Sequence, residues 1–213
     1  TTGDLYAGGD LALDAASLAN AGAIEAKQAV RLAGAGDVVN DGTLQADGGD
    51  LALVSGGRLT HTGNASAAHN ISLSAARELI IHGQAVANGD VSLSGASLDT
   101  AGIVQAGGQL DLTSVGTLAN AGKLYALGGG WTATIGGAFT NQASGDIYGS
   151  DSITLKAASL VNAGAIEAKQ DAALTVSGAL ANPGHVQADQ GSITLAAGSL
   201  DSALAAFSRT TGI

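Results

Sequence analysis

The chain has 213 residues, of which 46% are hydrophobic and 3% aromatic, with 33 glycines, one proline and no cysteine. Charged residues make up 12% and the net charge is −10; this disfavours nucleic acid and anionic membrane surfaces as partners, and the lack of cysteine excludes a disulfide framework or a thiolate metal site. High apolar content with little charge argues against disorder, and no apolar run approaches the ~18 residues of a membrane helix.

The chain opens inside a pattern, at Leu5-Tyr6-Ala7, and lacks methionine altogether, so it reads as part of something longer. Ser17–Gln28 spells SLANAGAIEAKQ, and Ser159–Gln170 spells SLVNAGAIEAKQ, differing only at Ala19 and Val161. Between them a turn motif, Asn-x-Gly, returns throughout. Its glycine column runs Gly22, Gly42, Gly63, Gly83, Gly102, Gly122, then Ala143 as an exception, then Gly164 and Gly184, at steps of 19 to 21 residues. Two residues before each stand Asn20, Asn40, His61, Ile81, Thr100, Asn120, Asn141, Asn162 and Asn182. A fixed period of this size means stacked units. Such arrays act through length and surface rather than one buried pocket.

The unit Gly36–Gly56 shows what one repeat does. It holds three short alternating stretches, at Asp37-Val38-Val39, Thr43-Leu44-Gln45-Ala46 and Asp50-Leu51-Ala52-Leu53, separated by Gly/Asn/Asp clusters. Period-two alternation marks half-buried strands and the clusters mark turns. Three such strands per unit make one coil of a parallel β-helix, each strand pairing with its counterpart one coil on. The first strands would point Leu18, Val38, Leu59, Leu79, Leu98, Leu118, Phe139, Leu160, Leu180 and Leu200 inward. The second would bury Ile24, Leu44, Val104, Leu124, Ile147, Ile166 and Val186, each followed two residues on by Ala, or by Gly149 once. The third would bury pairs such as Val30/Leu32 and Ile71/Leu73. The fold class is therefore all-β, a β-solenoid of about ten coils, roughly 50 Å long at the ~4.8 Å strand spacing. Asn20, Asn40, Asn120, Asn141, Asn162 and Asn182 would stack as a structural ladder of amides, in turns that tolerate the left-handed conformation.

Several places depart from the pattern. Gly8-Gly9-Asp10 and Gly48-Gly49-Asp50 resemble half of a calcium-binding repeat, but the period is wrong and turn chemistry explains them better. His61 and His82 read as surface histidines without a metal shell. The unit 123–150 contains Tyr125, Trp131, Phe139, Tyr148, the run Gly128-Gly129-Gly130 and a two-residue insertion between Asn141 and Ile147. Tyr125 and Tyr148 share an outward column, so with Trp131 they are the candidate ligand-binding residues, as a platform on which a sugar could stack. The competing reading is cross-coil packing, with Trp131 and Phe139 in the core. At the end, Leu200, Leu204 and Phe207 at i, i+4 and i+7 predict a short amphipathic helix, giving a division into a β-helix over 1–201 and a helical cap or junction over 202–213.

The units Ala-Gly-Ala-Ile-Glu-Ala (21–26 and 163–168), Gly-Thr-Leu-Gln-Ala-Asp-Gly-Gly-Asp-Leu-Ala-Leu (42–53) and Ser-Leu-Asp-Thr-Ala-Gly-Ile-Val-Gln-Ala (97–106) resemble the haemagglutinin repeats of filamentous haemagglutinin-like exoproteins. That resemblance implies a right-handed parallel β-helix. It also implies export through a dedicated outer-membrane two-partner-secretion transporter, a secreted or cell-surface location, and a role in cell adhesion or contact-dependent growth inhibition. The partners it implies are a receptor or glycan on a host or neighbouring cell. An enzyme is not expected: the eight Lys and Arg scatter along the chain, and Glu25/Lys27 recur as Glu167/Lys169 with the repeat, which marks scaffold. No catalytic residue, metal or cofactor is assigned.

Overall fold

A computed structural model describes residues 3–201 and the backbone of 207–209. The architecture is a parallel β-solenoid. The second strands, from Leu5–Ala7 through Ala23–Ala26 and Thr43–Ala46 to His185–Ala188 and Phe207–Arg209, form one eleven-stranded sheet in strict chain order. The first and third strands form an eighteen-stranded sheet. They merge in Ala172–Ala181, where third strand runs into first strand through a bulge between Val176 and Ala179. Each strand pairs in parallel with the strand one repeat away, as in Leu18↔Val38, Ile24↔Leu44 and Val30↔Leu51.

The core is the stack of inward columns. Val38, Leu44, Leu53, Leu59, Leu79, Val104 and Phe139 are fully buried, and so is the alanine column from Ala26 to Ala188. Full burial of such an aliphatic side chain is worth about 1.5–3 kcal/mol. One coil cannot collect it alone, because its apolar face is closed by the coils above and below. Leu5, Leu11, Leu13 and Leu18, in the first coil, are only partly buried.

The glycine column has a steric cause. A Cβ on Gly63 would run into the carbonyl oxygen of Gly42, and one on Gly102 into that of Gly83. No described residue has a positive φ, so the expected left-handed turns do not occur: close stacking of corner on corner demands glycine, not backbone handedness. The exception at Ala143 also resolves. Ala165 N bonds Gly145 O as Lys123 N bonds Gly102 O, and a Cβ on Gly164 would meet Gly145 O. Gly145 therefore holds the column, displaced by the insertion.

The Gly48-Gly49-Asp50 turn belongs to a second, outer ladder. Asp50 Oδ1 accepts from Asn70 N (3.0 Å), Asn70 Oδ1 from Asp90 N (2.8 Å) and Asp90 Oδ1 from Gln109 N (2.8 Å). Each polar side chain caps a donor of the next turn, as short Asx side chains do.

The predicted helix needs correction where it can be seen. Residues 202–206 lie outside those described, but Phe207–Arg209 is a strand in which Phe207 pairs with Val186. Leu200 pairs with Leu180. The spacing that mimics a helix is the spacing between two solenoid columns.

Candidate functional site

Two polar arrangements stand out on this scaffold, one facing out and one facing in. The outward one lies on the eleven-stranded sheet. Tyr125 and Tyr148 are register partners on adjacent strands, with ring centroids 6.3 Å apart at an interplanar angle of 85°. This edge-to-face contact is a preferred aromatic geometry. Tyr125 Oη donates to Asp146 Oδ2, and Lys123 Nζ lies 5.7 Å from the Tyr125 ring centroid. Burial, with the Asp146 carboxylate adding to it, pushes the Tyr125 phenol up to about 12, so it stays protonated and keeps donating. The pair is held in place by its own neighbours and is partly exposed.

Trp131 does not belong to that surface. It is 1% exposed and stacks inside the core on Phe139, with ring centroids 6.3 Å apart and planes at 26°. The physical reason is its column: Trp131 sits between Leu110 and Ile153 on the third strands, an inward position in every coil. Its bulk is offset by Ala133 between Leu112 and Leu155. Its indole Nε1 is buried without a hydrogen-bond partner, which costs about 1–3 kcal/mol.

The inward arrangement is the amide ladder. Asn120 Nδ2 donates to Asn141 Oδ1 (2.8 Å), Asn141 Nδ2 to Asn162 Oδ1 (2.7 Å) and Asn162 Nδ2 to Asn182 Oδ1 (2.6 Å). Thr100 Oγ1 starts this run by donating to Asn120 Oδ1 at 2.8 Å. A separate run contains Asn20, whose Nδ2 donates to Asn40 Oδ1 at 2.8 Å. Every link points the same way, from one coil's NH2 to the next coil's acceptor. The second amide hydrogen serves nearby carbonyls, such as Gly42 O from Asn40 (3.1 Å) and His185 O from Asn162 (3.0 Å).

His61 belongs to this ladder, which corrects its reading as a surface residue. It is fully buried, because it occupies the asparagine column in register with Asn40 and Ile81. Asn40 Nδ2 lies 2.9 Å from His61 Nδ1 and His61 Nε2 lies 2.7 Å from Gln84 O. Residue type alone suggests exposure; the column position, legible in the sequence, carries the right answer. His82, by contrast, is half-exposed and faces Asp99 at 3.5 Å.

Among the described residues no group of three or more His, Asp or Glu side chains is placed to hold a metal ion. A shallow polar depression lined by Gln45, Asp47, Ser66 and Asn88 opens where Ser66 interrupts the longer side chains of its column.

No similar curated protein was found, and no similar solved structure. The model of the haemagglutinin repeat matches residues 6–63, 49–102, 86–143 and 146–208. Those four matches span the solenoid almost end to end, and the chain belongs to the haemagglutinin-repeat family as a filamentous haemagglutinin-like shaft segment.

Proposed function

We propose that this chain is a non-enzymatic shaft of a secreted bacterial surface exoprotein, which mediates cell adhesion or carries a distal adhesive or toxic module away from the cell. The observation that supports it best is the unbroken register of the eleven-stranded sheet from Leu5–Ala7 to Phe207–Arg209. Continuous parallel pairing gives reach and stiffness without needing a pocket, and outward positions vary freely while inward ones repeat. On this reading the chain leaves the cell through an outer-membrane two-partner-secretion transporter and works outside it.

A second reading is favoured by the Tyr125–Tyr148 pair. Tyr125, held by Asp146 and Lys123, and Tyr148, edge-to-face with it, would offer a receptor or glycan an apolar face with polar neighbours. A glycan array probed with the wild-type chain and with a Tyr125→Ala/Tyr148→Ala variant separates the two. Binding that disappears in the variant overturns the plain shaft; no binding by either form removes the receptor reading.

A further inference from the structure

The inward ladder has a direction, and His61 fits that direction in one protonation state only. The Asn40 amide is oriented by its two other partners: its Oδ1 accepts from Asn20 and its Nδ2 donates to Gly42 O. The Nδ2 that faces His61 Nδ1 is therefore a donor, and Nδ1 must accept. The carbonyl of Gln84 can only accept, so Nε2 must carry the hydrogen. The neutral imidazole thus copies an asparagine: it accepts from the coil before and donates to the coil after. Even the carbonyl it reaches is the equivalent one, since Asn162 donates to His185 O, and His185 and Gln84 stand in the same column.

We infer that His61 is a proton-binding site that loosens the solenoid around Val38–Asn40, Leu59–His61 and Glu78–Ile81 when it is protonated. A proton on Nδ1 would point at the Asn40 NH2, donor against donor. Turning the Asn40 amide over repairs that contact, but it then sets Asn40 Nδ2 against Asn20 Nδ2 and leaves Gly42 O facing an oxygen. The mismatch moves along the run instead of vanishing. Ile81, the next residue in the column, is fully buried and apolar, so it offers no polar group to absorb the change.

The surroundings do not rescue the cation. On the side of Val38–Asn40 the one charged group acting on His61 is Asp41, whose attraction is outweighed by burial, so the imidazole is held below its ordinary value. Asp41 is itself engaged by Thr62 Oγ1 at 2.5 Å. On the side of Glu78–Ile81, Glu78 is paired with Arg58 at 2.9 Å and His82 with Asp99 at 3.5 Å. Asn64–Ala67 and Gln84–Ala87 contribute no ionisable side chain.

The test is amide hydrogen exchange on the whole chain at pH 7.5 and pH 5.0, corrected for intrinsic exchange rates. The reporters are Thr62 and Gly63, which bond Asn40 O, and His82 and Gly83, which bond His61 O. The controls are Gln142 and Ala163, which bond Asn120 O and Asn141 O in the other run. Protection of the reporters should fall more than that of the controls, by up to about tenfold for each pH unit below the ordinary value over which folded His61 stays neutral. His61→Asn restores the column's usual residue and should abolish the difference. Equal protection at both pH values, or the same loss in His61→Asn, overturns the inference. A ring-nitrogen NMR titration of the wild type reads the same site independently. An Nε2–H tautomer that resists protonation below the ordinary ~6.5 supports the inference, and protonation at or above that value refutes it.

Discussion

The same inward column is built in two ways along the rod. From Thr100 to Asn182 it is a continuous run of one hydroxyl and four amides, each donating to the next. From Asn20 to His61 the run is shorter and ends in an imidazole that hands its hydrogen to a backbone carbonyl. Between the two runs Ile81 is fully buried with no polar atom in its side chain. The backbone is the same in each case, with parallel register kept through Asn40↔His61, Ile81↔Thr100 and Asn120↔Asn141. The ladder is therefore not what imposes the fold. Apolar columns and the glycine corner suffice for that; the ladder decides which coils are hardest to open.

That comparison can be broken from its strongest point downward. Asn141→Leu strands two buried groups at once, the donor of Asn120 and the acceptor of Asn162. At roughly 1–3 kcal/mol each, the loss should be about 4 kcal/mol in a denaturant titration. A loss no larger than that of an ordinary surface change would show that the continuous run contributes nothing.

Ile81→Ala should cost about 3 kcal/mol through the cavity it leaves. Ile81→Asn should cost less than Ile81→Ala, since its amide lies one coil before Thr100 and can join the two runs. Denaturant midpoints of the two variants compare them directly, and the reverse order would mean that the gap between the runs is not a matter of hydrogen bonding.

The pH response should divide the two runs. His61 has a lowered value in the folded chain, chiefly from burial. Between that value and the ordinary ~6.5 the unfolded chain binds more protons, so stability falls as pH drops through this window, by at most about 1.4 kcal/mol per pH unit. Above the ordinary value the contribution is fully present. Stability measured from pH 7.5 to 5.0 should show this slope in the wild type and lose it in His61→Asn.

The smallest effect belongs to Asn20. Asn20→Ala deprives Asn40 of one donor and should cost about 1 kcal/mol, with the faster exchange confined to neighbours such as Asp41 and Gly42, whose amides bond Asn20 O. Exchange that rises equally in the run from Thr100 to Asn182 would mean that the two runs are one cooperative unit.

Most of the fold is legible in the sequence because each column repeats one physical demand. Leu79 and Leu98 face inward for the same reason as Leu118, and ten copies of a weak signal make a strong one. Sequence misleads where residue type outweighs column. His61 reads as a surface residue because histidine is usually exposed, yet its column is asparagine and buried. Trp131 suggests a ligand platform because exposed aromatics bind sugars, yet Leu110 and Ile153 on either side face inward. Leu200 and Phe207 suggest a helix because their spacing fits one, yet each lies one coil beyond Leu180 and Val186. What no column can tell is the direction of the ladder. Donor and acceptor order depends on which carbonyl each amide reaches, and Asn spells both orders alike.

The turn-upon-turn stacking also sets how the molecule would respond to tension. Strands lie across the rod, so a pull at its two ends loads the hydrogen bonds between coils one row at a time, like the teeth of a zipper. A coil of about 20 residues rises only ~4.8 Å in the stack but spans roughly 70 Å when drawn straight. Each coil that opened would lengthen the rod more than tenfold over that coil's folded rise, turning a stiff spacer into a reel that gives way in steps.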